Sequence, residues 1–466
     1  MKKIFSIIII LFIVLFCFKQ QAFSSDIVLH GWGKIRLDDV SASKEDISGL
    51  YGEDLKETTS VNHRFFLEGA TAINPNFQVG ALLRLSSEED EVLLNGPVYL
   101  KSPYGSIFAR FTNDWFDARV GYYDVYFTPL TLMRFDKKDL PELGGSTGCS
   151  SCSSRGGLIG GSLLEDVDEK LTFEGGKINS FLSDNFETTI LYARSQKSVE
   201  SERYKRHTIG VRALYRNYIK TSKDDFIVSF QYLYHDDEGC SVESLPDYSP
   251  LQNHVGSIYL FYPALRSVTL FGEFAISKLT QKLICVSNPI TDEHSGNAFT
   301  TGLNIIWPNG FNSQLAYLYR SNDFDSLYSA LTYTQNRKGG RISSSWTRQD
   351  DMLSIDFFVK YLEEVEQEIK GDAEFFLSLS AGISFIPEKN VTIRLRGLWD
   401  KQKRDAENKA LDKDILIYSG TVQASYEIAK NNYLEIKYQY MNNKDANDKT
   451  NEFDAHVVTT ELNIKF

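Results

Sequence analysis

Past Phe18 the 466-residue chain has no long apolar run. That excludes a bundle of spanning helices, each of which needs about 20 predominantly apolar residues. Proline is scarce, at 11, as in a sheet that keeps its ladder donors. A basic surface is absent: the formal net charge is −12, so no nucleic-acid partner is expected. The seven histidines (His30, His63, His207, His235, His254, His294 and His456) are scattered, and none lies in a Gly-flanked Ser motif. Carboxylates are so numerous that pairs of them discriminate nothing. No enzyme, metal site or cofactor is therefore expected. No repeat, linker or compositional break marks a second domain.

What the chain has instead is alternation. Near the carboxy-terminus Val458, Thr460, Leu462, Ile464 and Phe466 share one side, and Thr459, Glu461, Asn463 and Lys465 the other. Phe77, Val79, Ala81, Leu83 and Leu85 likewise oppose Gln78, Gly80, Leu82 and Arg84. A period of two is that of a strand with two different faces. It also defeats hydropathy, because apolar and polar residues are interleaved, as in membrane β-barrels. The aromatic share of 13 %, with 25 Tyr and 31 Phe, suits girdles at two membrane interfaces. Strand-like segments recur from end to end, centred among others on Val98, Val120, Leu331, Ser344 and Phe357. They are punctuated by turns such as Asn74-Pro75-Asn76, Tyr262-Pro263-Ala264 and Trp307-Pro308-Asn309-Gly310. The raw count slightly exceeds twenty, and some segments are read as loop excursions. Up–down parity fails over 339–370. Barrels of one bacterial chain have even strand numbers. The expectation is an all-β, transmembrane antiparallel β-barrel of about 18 strands, with 16 as the alternative.

The amino-terminus reads as a signal peptide. Lys2 and Lys3 precede an apolar core over 4–18, and Ala22-Phe23-Ser24 supplies small residues for cleavage after Ser24. The expected division is 1–24 as signal and 25–466 as barrel. Cleavage also removes Lys19 and leaves the chain more acidic. Much of that acidity falls in loops, as in Glu88-Glu89-Asp90-Glu91, which read either as solvated surface or as places where divalent cations bridge to lipopolysaccharide.

The segment 124–168 is the longest stretch without alternation, and loops of this length are functional or disordered. It carries Phe127, Leu130, Leu132, Met133 and Phe135, which are unwelcome in open water. Such a loop has a home folded inward against the barrel wall; the other reading is an external loop capping a neighbour. Alternation places Arg84, Arg110, Arg119, Arg212, Arg320, Arg394 and Arg396 on the polar face. The insertion adds Asp136, Asp139 and Glu142. Opposed, these would form an eyelet whose charges set ion selectivity, although any large barrel fills its interior with charge. Inward Arg favours anions or carboxylates, and overall acidity favours cations. Lumen charge outranks the rest, since exposed charges beyond about 8–10 Å are screened.

Four cysteines survive cleavage, an even number in an exported chain. Cys149 and Cys152 form a CxxC in a Ser-Gly-rich stretch. No helix start activates a thiolate there, no His completes a metal site, and Ser153 rather than His follows. A structural disulfide is expected. Cys240 and Cys285 lie in successive loops on the same side and could pair.

An alternating last strand closed by Phe466 resembles the assembly signal of bacterial outer-membrane barrels. The stretch His30-Gly31-Trp32-Gly33-Lys34-Ile35 is similar to the opening strand of general porins, which also narrow their pore with an early inward loop. As an architecture the resemblance is to the porin superfamily, over nearly the whole mature chain. It implies a bacterial outer-membrane protein set among lipid and lipopolysaccharide and inserted by the barrel assembly machinery. It also implies a water-filled channel, often trimeric, for passive diffusion of small hydrophilic or charged solutes, ion transport included, without cofactor. The alternative is a non-conducting plugged barrel acting as receptor, adhesin or assembly scaffold.

Overall fold

The computed structural model describes residues 27–42, 58–86, 104–125, 127–128, 130–132, 172–196, 205–219, 224–238, 250–282, 291–327, 335–348, 352–366, 374–404, 412–447, 449 and 452–465. These hold twenty strands. In chain order the first seven are β1 (Ile27–Ala42), β2 (Thr58–Asn74), β3 (Phe77–Ser86), β4 (Tyr104–Thr112), β5 (Phe116–Asp124), β6 (Thr172–Ser183) and β7 (Phe186–Gln196). The middle seven are β8 (Lys205–Ile219), β9 (Asp224–Glu238), β10 (Leu251–Leu265), β11 (Val268–Lys282), β12 (Thr291–Ile306), β13 (Phe311–Arg320) and β14 (Arg337–Thr347). The last six are β15 (Leu353–Glu364), β16 (Glu374–Glu388), β17 (Val391–Arg404), β18 (Lys413–Ala429), β19 (Asn432–Asp445) and β20 (Phe453–Lys465).

Every strand pairs antiparallel with the next, and β1 pairs with β20 from Trp32↔Lys465 to Ala42↔Ala455. The ring is thus closed. Closure satisfies the ladder of each strand on both sides and leaves no open edge.

The expected strand number was 18, and the structure corrects it to twenty. Apart from the segments centred on Val98 and Leu331, which lie outside the described residues, each strand-like segment of the sequence is a real strand. Among the described residues, none is a loop excursion. Parity over 339–370 resolves because β14 and β15 are two strands in a tight hairpin, paired from Arg337↔Glu364 to Thr347↔Ser354.

Tight turns and longer connections alternate along the chain, so the tight turns gather at one rim. In the first, the Asn76 amide donates to Asn74 Oδ1 at 2.9 Å. Between β12 and β13, Gly310 takes a φ of +80°, and a Cβ there would meet the Thr347 carbonyl at 2.4 Å. Tyr262-Pro263-Ala264 belongs to the end of β10 rather than to a turn; the register shifts at Pro263 and the reversal follows Leu265. A proline is tolerated at such an irregular strand end.

The two faces differ as alternation requires. Ile107, Val120, Ile190, Ile276, Val422 and Ile436 are exposed outward. Ser229, Gln231, Ser257, Ser277, Ser378 and Gln439 are buried on the inner side. Outward aromatics mark the rim of the tight turns, with Trp115, Trp307, Tyr215 and Tyr426 beside them, and others lie farther along the wall, as Tyr192, Tyr232 and Tyr438 do near the middle of their strands. The last three meet His207, His254 and His456 across the strand pair, at 2.9, 2.7 and 2.8 Å.

Candidate functional site

The start of the 124–168 insertion is set up by one glycine. Gly121 in β5 has a φ of +104°, and a Cβ there would lie 2.0 Å from the Ile107 carbonyl. This conformation breaks strict alternation, and the consecutive Tyr122 and Tyr123 are both buried. Tyr122 donates to Glu68 across the inner wall. Tyr123 donates to the Tyr192 carbonyl at 2.9 Å and packs edge-on against Phe173.

From there the chain leaves β5 and runs along the inner wall. Val125, Phe127, Leu130 and Leu132 join one buried cluster with Leu191 of β7, Leu233 of β9, Val255 of β10, Ala275 of β11 and Ala298 of β12. The small Ala275 and Ala298 make room for it. Phe127 and Leu132 are bonded backbone to backbone, so the segment doubles back. Fully burying a side chain of this size is worth about 1.5–3 kcal/mol. Polar contacts fix the register. Thr128 donates to Glu273 Oε1 of β11 at 2.5 Å, and the Leu130 amide donates to Glu273 Oε2 at 3.1 Å.

A second segment, 321–327 after β13, folds onto the same seat. Phe324 is wholly buried in the cluster. The Asp325 amide donates to Ser277 at 2.9 Å, and Asn253 donates to the Asp325 carbonyl at 3.0 Å. Ser326 donates to the Thr131 carbonyl at 3.2 Å. Two segments nearly 200 residues apart thus form one body on the polar face of the wall. The second segment and Glu273 were not found from the sequence. The available signal was Phe324, a lone aromatic within Ser321-Asn322-Asp323-Phe324-Asp325-Ser326. It is the same anomaly, in miniature, that marked the first insertion.

The expected wall arginines split into several kinds. Arg110 donates twice to Asp117, at 2.8 and 3.0 Å. Arg119 lies between the rings of Phe108 and Tyr122, 4.0 and 4.5 Å from their centres, with Glu68 at 3.7 Å. Arg212 donates to Glu187 at 2.8 Å and covers Phe127 at 5.5 Å. Arg320 donates to the Phe324 carbonyl and so serves the second segment. Arg396 reaches Asp356 at 3.4 Å, over the space left by Gly382. Arg394 is exposed and has no ionic or hydrogen-bonding partner among the described residues. Arg84 takes its place in β3 opposite Tyr104; its side chain lies outside the described residues. So do Asp136, Asp139 and Glu142, the cysteines Cys149, Cys152, Cys240 and Cys285, Phe466, and the 1–24 segment. Among the described residues no group of three His, Cys, Asp or Glu could hold a metal ion. No helix among them is long and apolar enough to cross a membrane.

A closed sheet with an apolar outer band, aromatics beside the tight turns and a polar interior suits a chain that crosses lipid by strands. This is a closed, twenty-stranded antiparallel β-barrel of the kind that crosses lipid by strands. No family model matches its sequence, and no curated protein does. Among solved structures, the barrel is similar to OpdL of Pseudomonas aeruginosa, at 11 % identity and a TM-score of 0.48, covering 95 % of this chain and 99 % of that one. OpdQ of the same organism gives 10 % and 0.46, covering 95 % and 98 %. OccAB1 of Acinetobacter baumannii gives 12 % and 0.44, covering 94 % and 97 %. These are likenesses of overall form, and they assign neither solute nor site to this chain.

Proposed function

We propose that the protein is an outer-membrane channel for passive diffusion of small hydrophilic or charged solutes. The insertion 124–168, together with 321–327, narrows its lumen. The observation that carries this reading is the seat of 125–132 on the inner wall, held there by Glu273 and an apolar cluster. A loop spent inside a barrel reduces the cross-section open to water. Nothing in this transport needs a reaction or a cofactor; the gradient supplies the drive. Most described inner arginines are locally matched, so the unmatched Arg394, with the loosely paired Arg396, favours small anions. In the cell envelope the partners would be lipid, lipopolysaccharide through acidic loops, the assembly machinery at Phe466, and two further copies in a trimer. Cys149–Cys152 and Cys240–Cys285 would be disulfides.

The apolar interior favours a second reading on its own observation. Phe127, Leu130, Leu132 and Phe324 make part of the lumen dry, as a full plug would. The barrel would then be a non-conducting receptor, adhesin or scaffold. Liposome swelling separates the two. Proteoliposomes in isotonic solutions of graded neutral and anionic solutes should swell for small solutes and stop at a size limit. Correctly folded barrels that never swell would establish the plug.

A further inference from the structure

We propose that Glu273 is the positioning residue of the constriction, its carboxylate fixing the inward segment 125–132 on the wall and thereby setting how wide and how steady the pore is. The inference rests on the channel reading above and deepens it.

Glu273 stands on the inner face of β11 and is 5 % exposed. Both of its carboxylate oxygens are occupied. Oε1 accepts from Thr128 Oγ1 at 2.5 Å and from Ser257 Oγ at 3.0 Å, and Oε2 accepts from the Leu130 amide at 3.1 Å. No cation among the described residues pairs with it. Two of its three donors belong to the insertion, and only Ser257 belongs to the wall. Lifting the segment would strip a buried carboxyl group of most of its hydrogen-bond partners, and an unsatisfied buried polar group is costly.

The apolar cluster cannot do this alone. Burial of Phe127, Leu130 and Leu132 is non-directional and would tolerate a slide of the segment along the smooth Ala275–Ala298 wall. The carboxylate cannot tolerate it, because its two oxygens hold donors two residues apart. The cluster therefore supplies adhesion, and Glu273 supplies register. Ser326 bonding to Thr131 ties the second segment to the one so fixed.

The test uses the full-length refolded barrel and hydrogen exchange read peptide by peptide, alongside single-channel recording. In Glu273→Ala, exchange over 125–132 should quicken at least tenfold while the ladders of β8–β11 keep their protection. The open level should become noisier or larger. Glu273→Gln, which keeps the shape but faces donors with an amide, should fall between the two. Thr128→Val should give a smaller increase, since Leu130 still donates. Should Glu273→Ala not fold, Gln and Thr128→Val carry the test. Wild-type exchange over 125–132 in folded variants would overturn the proposal. Because exchange does not depend on conduction, a wild-type barrel that never conducts would sink the channel reading while leaving this one measurable.

Discussion

An inward arginine acts on a passing ion only with the charge its neighbours leave it. Arg110, held by both oxygens of Asp117, and Arg394, exposed without a partner, were equivalent in the sequence; alternation reports a face but not a neighbour. Replacing Arg394 with Gln should shift the reversal potential measurably toward cations. Replacing Arg110 with Gln should shift it further still in the same sense only if its pairing is broken in solution; with the pair intact, the loss uncovers Asp117 and the change stays confined to that rim. A reversal potential unmoved by Arg394→Gln would remove it from the ion path. Backbone constraints also act at this scale. Gly121→Ala places a Cβ on the Ile107 carbonyl at a φ of +104°, a strained combination worth about 1–3 kcal/mol. The variant should fold less completely, read as a lower unfolding midpoint of the refolded barrel in denaturant. An unchanged midpoint would show that β5 reaches the insertion by another path.

At the scale of elements, strands were legible and their partners in the lumen were not. Each strand alternates because one face meets apolar surroundings and the other a polar interior, so β20 and β3 can be read residue by residue. The tight Asn74-Pro75-Asn76 and Trp307-Pro308-Asn309-Gly310 turns are visible for a similar reason, since their chemistry is local. The contact of Thr128 with Glu273 spans 145 positions of sequence and leaves no periodic trace; only the misplaced apolar residues of the loop hinted at a seat. Alternating turn lengths give a direct test of orientation. An epitope inserted at 405–411, in the connection between β17 and β18, should be reached by antibody on intact cells. The same epitope between Asn309 and Gly310 should abolish the folded barrel. Labelling that reverses this order would invert the assignment of the two rims. For the inward body, Phe127→Ala should quicken exchange over 125–132 without unfolding β7–β12, since it removes cluster packing but leaves Glu273 in place.

For the whole molecule, the class followed from the sequence because a closed barrel must repeat one pattern throughout, whereas its circumference did not. The number of strands depends on whether each weak segment is counted, and discounting too many of them gave 18 where the described residues hold twenty. Closure itself, β1 against β20, is a property of the entire ring that no local pattern announces. The central claim is that water still passes beside the inward body. The most direct measurement is single-channel conductance of the folded, full-length protein in a planar bilayer under a salt gradient. The account predicts stable steps, a reversal potential of anion-selective sign, and larger steps when 137–168 is deleted. Folded, inserted barrels that give no steps, and that open only on that deletion, would contradict it and identify a plugged barrel.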